Sequence, residues 1–143
     1  MVQFKVSQKI LIAEDEKALR RNLEIFLGEL GHRVRCAACG EEAVRLLHHE
    51  HFDIVITDIR LGDMDGLDLV RRIRSRSSLT GVLVMTAYGS PDSATDAFRS
   101  GAHEYILKPF SLDEIEQRIN KIARYLDLER QNASLLEEIQ RHR

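Results

Sequence analysis

The chain has 143 residues, of which 43% are apolar and 31% are charged, and its formal net charge is −2. A chain of this length fits one ordinary domain, and its mixed charges leave no broad basic field for direct nucleic-acid binding. No apolar run approaches the roughly 20 residues of a membrane-spanning helix, and residues 1–9 lack the apolar core of a signal peptide. We therefore expect a cytoplasmic protein and a fragment that binds neither nucleic acid nor membrane.

The first apolar run predicts a strand over residues 9–13, and it ends directly before Glu14, Asp15 and Glu16. Leucines then recur about one helical turn apart until Gly31, whose position suits the left-handed end of a helix. The acidic residues have two interpretations. They cap this helix and complement its dipole, or they join a further strand-end carboxylate in a site for a hard cation such as Mg²⁺.

A second strand is predicted over residues 34–38, and a second helix runs from Glu41 to a histidine-rich end at residues 48–51. Cys36 and Cys39 form a Cys-x-x-Cys pair, which is compatible with a dithiol redox site or with part of a zinc site. A redox pair is better placed at a helix N-terminus, where the thiolate is stabilised, but Cys36 falls within a strand. The pattern therefore favours ordinary structural cysteines and a solvated histidine end.

The central prediction is a strand that begins with the β-branched run Ile54-Val55-Ile56 and stops at Asp58. Such a run is typical of a strand buried on both faces of a parallel sheet. Open α/β sheets bind ligands beyond the carboxyl ends of their strands, so Asp58 is placed where ligands bind. The glycine- and aspartate-rich residues 62–66 predict a turn, and helical apolar spacing follows them.

The fourth apolar run, residues 81–85, brings Thr86 to the same rim. Ser90 and Pro91 then predict a helix start, because serine caps well and proline suits the first helical position. Gly101 ends this helix. We expect only three of its side chains to be buried: Ala94, Ala97 and Phe98. The helix should therefore be held less tightly than its neighbours.

A short fifth strand over residues 105–107 ends at Lys108 and Pro109. Five strands alternating with five helices favour an α/β fold with a doubly wound parallel sheet and right-handed crossovers. In such a sheet, the polar residues that follow the strands converge on one edge.

These strand-end residues resemble those of the receiver domain of bacterial two-component response regulators. The resemblance covers residues 8–126 and rests on separately placed motifs: Glu14-Asp15, Asp58, Thr86 and Lys108-Pro109. It implies a flavodoxin-like (βα)5 fold with strand order 2-1-3-4-5, the order of the family's chemotaxis member. It also implies a regulatory phosphoacceptor domain, which is no enzyme beyond its own phosphotransfer and dephosphorylation.

The resemblance implies a role for each residue of the phosphoryl site. Asp58 is expected to attack the phosphohistidine of a partner kinase and become an aspartyl phosphate. Lys108 would pair with Asp58 and then with a phosphoryl oxygen, and Thr86 would donate a hydrogen bond to the phosphate. Tyr105 matches the switch aromatic, whose ring turns inward when the loop after Thr86 moves.

The resemblance also implies a magnesium site. Mg²⁺ is expected on Asp15, Asp58 and the main-chain carbonyl of Arg60, with Glu14 acting through a water. The bond between Lys108 and Pro109 is expected to be cis, because only a bond to proline has a cis form that is close in energy to the trans form.

Three departures from the family pattern stand out. Glu14 replaces the commoner aspartate of the acidic pair, and Gly62 and Asp63 occupy a loop that often carries proline then glycine, so we expect a looser loop. Arg60 and Tyr88 stand two residues beyond the acceptor aspartate and the strand-end threonine. We hypothesise that these two side chains screen the phosphate from water and slow its hydrolysis.

Helical spacing predicts a fifth helix from Leu112 that continues to the last residue, Arg143. A heptad-like alternation marks its second half: Tyr125, Leu128, Asn132, Leu135 and Ile139. Asparagine at such a core position fixes register in parallel two-stranded coiled coils. The alternative is a solvated extension, because little more than two heptads is marginal for a coil. A chain that ends in mid-helix is expected to be a fragment of a longer protein.

We expect an N-terminal extension at residues 1–8, a receiver domain at 9–126 and a helical linker at 127–143, either a coiled coil or a solvated extension, that leads to an output domain. The expected function is a phosphorylation-activated switch, with transcription regulation as its output by analogy. The expected partners are a sensor histidine kinase or phosphotransfer protein and a second copy of the chain. The copy would bind through the C-terminal helix or the face of the fourth helix, fifth strand and fifth helix. The alternative is a phosphorylation-independent interaction and dimerisation domain.

Overall fold

The computed structural model describes residues 6–77 and 79–142. The predicted extension at residues 1–8 and the terminal Arg143 lie partly or wholly outside this range. Strands and helices alternate along the described chain: β1 (Lys9–Ala13), α1 (Lys17–Glu29), β2 (Arg33–Ala37), α2 (Gly40–His49), β3 (Ile54–Asp58), α3 (Gly66–Arg76), β4 (Gly81–Thr86), α4 (Pro91–Ser100), β5 (Glu104–Leu107) and α5 (Leu112–Arg141).

The strands form one parallel sheet in the order β2-β1-β3-β4-β5. This order confirms the predicted doubly wound, flavodoxin-like fold. Every residue of β3 and β4 is buried, because both strands have neighbours on either side and helices over both faces. That burial explains why their sequences are continuous apolar runs and not alternating patterns.

The side chains of each strand alternate between the two faces of the sheet, and each face has its own hydrophobic core. On one face, Leu11, Val55 and Val84 pack with residues of α2, α3 and α4. On the other face, Ile12 and Ile56 pack with residues of α1 and α5. The helices therefore divide three and two over the sheet, and the rim at the carboxyl ends of the strands stays open for a site.

The element boundaries differ from the predictions by about one residue. β2 runs over Arg33–Ala37 and not over 34–38, because its register pairs Ala37 with Ala13, the last residue of β1. β4 extends through Thr86 and β5 begins at Glu104, since these residues continue the parallel ladder.

Helix α4 confirms the predicted ends but corrects two of the three predicted core residues, Ala94 and Phe98. Ser90 caps it through a reciprocal capping box, and Gly101 ends it with a left-handed φ of 118°. Only Ala97 is buried, whereas Ala94 is partly exposed and Phe98 is 49% exposed. Phe98 lies about 100° around the helix from Ala97, which turns its ring away from the sheet. The helix is therefore held by an even narrower apolar stripe than expected.

Helix α5 is continuous from Leu112 to Arg141. Its first half buries Ile115, Ile119, Ile122 and Leu126 against the sheet. Beyond Leu126, its large apolar side chains are exposed: Leu128, Leu135, Leu136 and Ile139. No helix in the described part of the chain has the length and apolar character to cross a membrane.

Candidate functional site

Charged side chains meet at the carboxyl edge of the sheet, as predicted from the alternation of strands and helices in a parallel sheet. Glu14 follows β1, Asp58 ends β3 and Lys108 follows β5. The ammonium group of Lys108 donates a hydrogen bond of 2.8 Å to Glu14 Oε1 and a second, short one to Asp58 Oδ2. Three groups that are 44 to 94 residues apart in sequence therefore form one ion-paired cluster.

The acidic members of this cluster can share a cation. Carboxylate oxygens of Glu14, Asp15 and Asp58 lie within 4.8 Å of one another. Glu14 is fully buried, and its Oε2 has no hydrogen-bond partner among the described residues. Oxygen ligands at this spacing, with one buried carboxylate oxygen uncommitted, fit a hard cation such as Mg²⁺.

The ionisation of the cluster reflects its burial. Burial raises the pKa of Glu14 to about 7, with Lys108 opposing the shift and the neighbouring Asp58 adding to it. Burial alone would lower the pKa of Lys108, but its hydrogen bonds to Asp58 and Glu14 outweigh that effect and raise it. Lys108 therefore stays charged at neutral pH, while two crowded carboxylates compete for its ammonium group.

Asp58 is held at both carboxylate oxygens. Oδ2 pairs with Lys108, and Oδ1 accepts a hydrogen bond of 2.9 Å from the main-chain N–H of Arg60. The loop after Asp58 then returns closely to the strand end, since Gly66 N donates to Ile59 O at 2.6 Å. A Cβ at Gly66 would overlap the Asp58 carbonyl oxygen, so this close return requires glycine.

Thr86 lies buried at the end of β4, and its Oγ1 accepts a hydrogen bond of 3.0 Å from Tyr88 N. The Arg60 guanidinium lies 4.0 Å from the centroid of the Tyr88 ring, in a cation–π contact. This contact joins the loops that follow β3 and β4. The two residues singled out as screening candidates are therefore brought together at the rim.

Tyr105 lies outside the charged cluster. Its ring is half-buried on β5, and its hydroxyl pairs with Ser93 Oγ of α4 at 2.6 Å. The structure thus connects the predicted switch aromatic to α4 and not directly to Asp58.

Two alternative interpretations of sequence motifs lose support. The acidic cluster does not cap α1, because Glu16 is the N-cap and makes no side-chain hydrogen bond. Burial, and then Glu24, raises the pKa of Cys36 to about 12, which suppresses the thiolate that redox or zinc chemistry needs. Among the described residues, the acidic cluster at the rim is the one group of His, Cys, Asp or Glu side chains close enough to share a metal ion.

Asp63, which lies in the loop between β3 and α3, has a role that its place in the sequence did not predict. Its carboxylate accepts hydrogen bonds from the main-chain N–H groups of Gly40 and Glu41 at the start of α2. The loop that was expected to be loose is therefore anchored. A signal existed in the sequence, because Cys39, the residue before this helix, is a poor cap and leaves the first donors to be satisfied elsewhere.

Comparison with known proteins agrees with this geometry. The family described as "Response regulator receiver domain" matches residues 10–120. The two-component response regulator PhoP of Pseudomonas aeruginosa is 38% identical over 116 residues, which are 81% of this chain and 52% of PhoP. A probable transcriptional regulator, ycf27 of Galdieria sulphuraria, is 35% identical over 127 residues, which are 89% of this chain and 49% of that protein.

The fold comparison gives the same result. The crystal structure of a CheY-like response regulator receiver domain protein from Methanospirillum hungatei JF-1 superposes with a TM-score of 0.83 at 25% identity, covering 87% of this chain and 99% of that one. The present chain spans about half the length of the two curated relatives above. From the family match, the relatives and the fold together, the chain belongs to the receiver domains of two-component response regulators, a family whose members here include transcriptional regulators.

Proposed function

We propose that this chain is a phosphorylation-controlled switch of a cytoplasmic signalling pathway. Asp58 accepts a phosphoryl group from a phosphohistidine of a sensor histidine kinase or phosphotransfer protein, and the phosphorylated state is relayed to an output domain that regulates transcription. The observation that carries this proposal is the carboxylate of Asp58, which is held at the rim between Lys108 and the Arg60 main chain. It lies beside two further carboxylates, Glu14 and Asp15.

The proposed transfer is a displacement at phosphorus. An oxygen of Asp58 forms the new P–O bond while the P–N bond to the histidine breaks, and the bonding electrons leave with the imidazole, which then takes up a proton. Lys108, whose pKa is raised by its carboxylate partners, stays protonated and shifts from Asp58 to a phosphoryl oxygen. Dephosphorylation of the same aspartate is the only other chemistry we propose for the domain.

Mg²⁺ fits the acidic cluster, and we assign Asp15, Asp58 and the main-chain carbonyl of Arg60 to it as direct ligands, with Glu14 acting through a water. When bound, the cation would offset the mutual repulsion of the carboxylates and the incoming phosphoryl group. The fit is supported by the oxygen-only donor set and by the buried Glu14 Oε2, which lacks a hydrogen-bond partner among the described residues.

The proposed relay runs through Thr86 and Tyr105. The Thr86 hydroxyl donates a hydrogen bond to the new phosphoryl group, and this bond draws the loop after β4 inward. The Tyr105 ring then turns into the space that the loop vacates. Tyr105 is bonded to Ser93 at the start of α4, so its turn must break or move that contact. Since α4 buries only Ala97, this helix is the element that most easily shifts in response.

The stacked pair of Arg60 and Tyr88 lies across the two loops at the rim. We propose that it screens the aspartyl phosphate from water and slows hydrolysis. The lifetime of the phosphorylated protein should shorten in Arg60→Ala and in Tyr88→Ala, and the double variant should resemble the single ones because the two residues act as a pair. Lifetimes equal to that of the wild type would contradict the screening role.

The second half of α5 supports the proposed linker at residues 127–143 and a contact with a second copy. Asn132 lies between Leu128 and Leu135 in the heptad alternation, and all three side chains are exposed. In a parallel pair, the two Asn132 side chains would face each other, and Arg124 of one copy would lie near Glu129 of the other. These complementary pairs favour a parallel, in-register arrangement.

Sedimentation analysis can test this dimer contact. Leu135→Lys should abolish self-association, whereas Ser134→Lys, which adds the same charge at the neighbouring position outside the predicted seam, should leave it unchanged. Association that survives Leu135→Lys would place the contact on the face of α4, β5 and α5, where Phe98 and Leu107 are exposed.

The proposed phosphorylation itself is tested by intact mass after incubation with acetyl phosphate and Mg²⁺. We expect the wild type to gain the mass of one phosphoryl group, and we expect no gain in Asp58→Asn or when Mg²⁺ is chelated. A folded, metal-replete wild type that gains no mass would favour the alternative function, an interaction domain that works without phosphorylation.

A further inference from the structure

Helix α2 begins without a side-chain cap of its own. The side chain of its N-cap residue, Cys39, accepts no hydrogen bond from the main-chain N–H groups of the first turn. Instead, Gly40 N donates to Asp63 Oδ1 at 2.8 Å and Glu41 N donates to Asp63 Oδ2 at 2.9 Å. The bonds from Glu41 and Gly40 lower the pKa of Asp63, so its carboxylate is charged at the positive end of the helix dipole. A residue of the β3–α3 loop thus caps a helix that is far away in sequence but in direct contact with the loop.

The loop and the start of α2 are also in close contact. A Cβ at Gly40 would overlap Met64 Cγ and would lie 3.2 Å from Asp63 Oδ1. The tip of the loop therefore rests directly on the helix start, and the missing Cβ at Gly40 leaves room for the Met64 side chain. The two carboxylate hydrogen bonds and the neighbouring Met64 contact together hold the tip of the loop at the start of α2.

The same loop carries the main-chain group that holds the acceptor. Arg60 N donates to Asp58 Oδ1 at 2.9 Å, and Arg60 forms an isolated bridge with Asp65 across the loop. The base of the loop is closed by the bond from Gly66 N to Ile59 O. Arg60 thus lies between a base that is fixed by β3 and a tip that is fixed by α2.

We propose that Asp63 is a positioning residue: by tying the loop tip to the start of α2, it keeps the main chain of Arg60 in place on the Asp58 carboxylate and beside the acidic cluster. The tether itself is independent of the proposed function. Its consequence for the cation and the phosphoryl group rests on that function. Asp63 touches none of the reacting atoms and acts through Arg60.

The test uses two readouts on the full chain. Hydrogen exchange followed by mass spectrometry reports the protection of the loop at residues 59–66 and of the first turn of α2. Titration calorimetry with Mg²⁺ alone, without a phosphoryl donor, reports the affinity of the acidic cluster. Asp63→Gly should increase exchange in both segments and weaken Mg²⁺ binding about tenfold, the low end of what groups that orient metal ligands contribute.

Matched variants separate positioning from general loss of stability. Asp63→Asn keeps one acceptor oxygen and should fall between the wild type and Asp63→Gly. Asp68→Asn removes an equal charge from the exposed side of α3 and should change neither readout. Gly40→Ala places a Cβ against the flexible Met64 side chain and keeps both main-chain donors and Asp63, so it should weaken Mg²⁺ binding less than Asp63→Gly does.

Each outcome decides one step. Unchanged exchange in Asp63→Gly would overturn the tether, and increased exchange with unchanged Mg²⁺ affinity would overturn the positioning role. A wild type that binds Mg²⁺ but takes up no phosphoryl group would contradict the proposed function. The positioning role would then still be decided by the Mg²⁺ affinity of Asp63→Gly. A wild type that binds no Mg²⁺ would overturn both the cation assignment and the consequence proposed for Asp63.

Discussion

Helix α5 has two halves with similar sequence patterns and different surroundings. Ile115, Ile119 and Ile122 in the first half are at most 1% exposed, whereas Leu135 and Ile139 in the second half are 56% and 54% exposed. Both halves place apolar residues at helical spacing between charged ones. The difference arises because β3 and β4 lie beneath the first half, while the second half extends past Leu126, its last buried residue.

This comparison shows that helical periodicity identifies an apolar face but not the surface that covers it. In the first half, the sheet of the same chain covers the face. In the second half, the described chain offers no cover, and we propose that a second copy supplies it. Substitutions in the two halves and at their junction test this difference.

The largest effect should come from removing a buried side chain of the first half. Ile119→Ala should lower the free energy of unfolding by about 2–5 kcal/mol, because it leaves a cavity against the sheet. Leu135→Ala, the matched change in the second half, should stay within about 0.5 kcal/mol in dilute solution, where no second copy covers it. Urea denaturation measures both, and similar losses at the two positions would contradict the division at residue 126.

The next effect concerns the polar position of the proposed coil. Asn132→Val should strengthen self-association by about tenfold, because a buried asparagine pair costs stability and contributes register. Sedimentation equilibrium measures the dissociation constant, and Ala133→Val, at a position outside the seam, is the control. An unchanged constant in Asn132→Val would mean that Asn132 does not face a partner.

A smaller effect is expected from pH at the junction of the two halves. The centroids of the His103 and Tyr125 rings lie 5.3 Å apart. His103 Nδ1 accepts hydrogen bonds from Val82 N and from the Arg74 side chain. Burial, and then Arg74, lowers the pKa of His103 below its ordinary 6.5.

The sign of this pH dependence follows from proton uptake. Below pH 6.5 the unfolded chain takes up a proton that the folded chain resists, so the contribution of His103 to stability is present above that pH and is lost as the pH falls. Denaturation at pH 7.5 and 5.5 should show a smaller pH-dependent loss in His103→Asn than in the wild type. Equal losses would show that His103 does not titrate on unfolding.

The smallest effect is expected from the ion pair between the second half and the residue before β3. Arg130 Nη2 lies 3.7 Å from Asp53 Oδ1, and both side chains are partly exposed. Arg130→Gln should therefore lower the free energy of unfolding by less than about 1 kcal/mol, and added salt should remove the difference. A larger, salt-independent loss would indicate that the first turn beyond Leu126 is part of the folded body.

The sequence determined much of the fold. The uninterrupted apolar runs at β3 and β4 predicted strands buried on both faces, and Ser90, Pro91 and Gly101 marked the ends of α4. The strand-end positions of Glu14, Asp58 and Lys108 predicted a shared rim, because parallel strands end at the same edge. The strands and helix ends follow from local sequence patterns, and the shared rim follows from the rule that parallel strands end at one edge. Both can therefore be predicted from the order of the residues. The roles of the site residues and the boundary between residues 126 and 127 remain predictions.

Only the tertiary structure decided which groups share a contact. The poor cap at Cys39 indicates that α2 is capped from elsewhere, but nothing local identifies Asp63 as the residue that does so. Nor does anything local indicate that Arg60 stacks on Tyr88 or that Phe98 faces away from the sheet. Each of these depends on how two separate elements approach each other. A small rotation between packed elements changes which residue an exposed side chain contacts. The residues that a side chain can reach are set by the fold, whereas the tendency of a segment to be a strand or a helix is set by its own sequence.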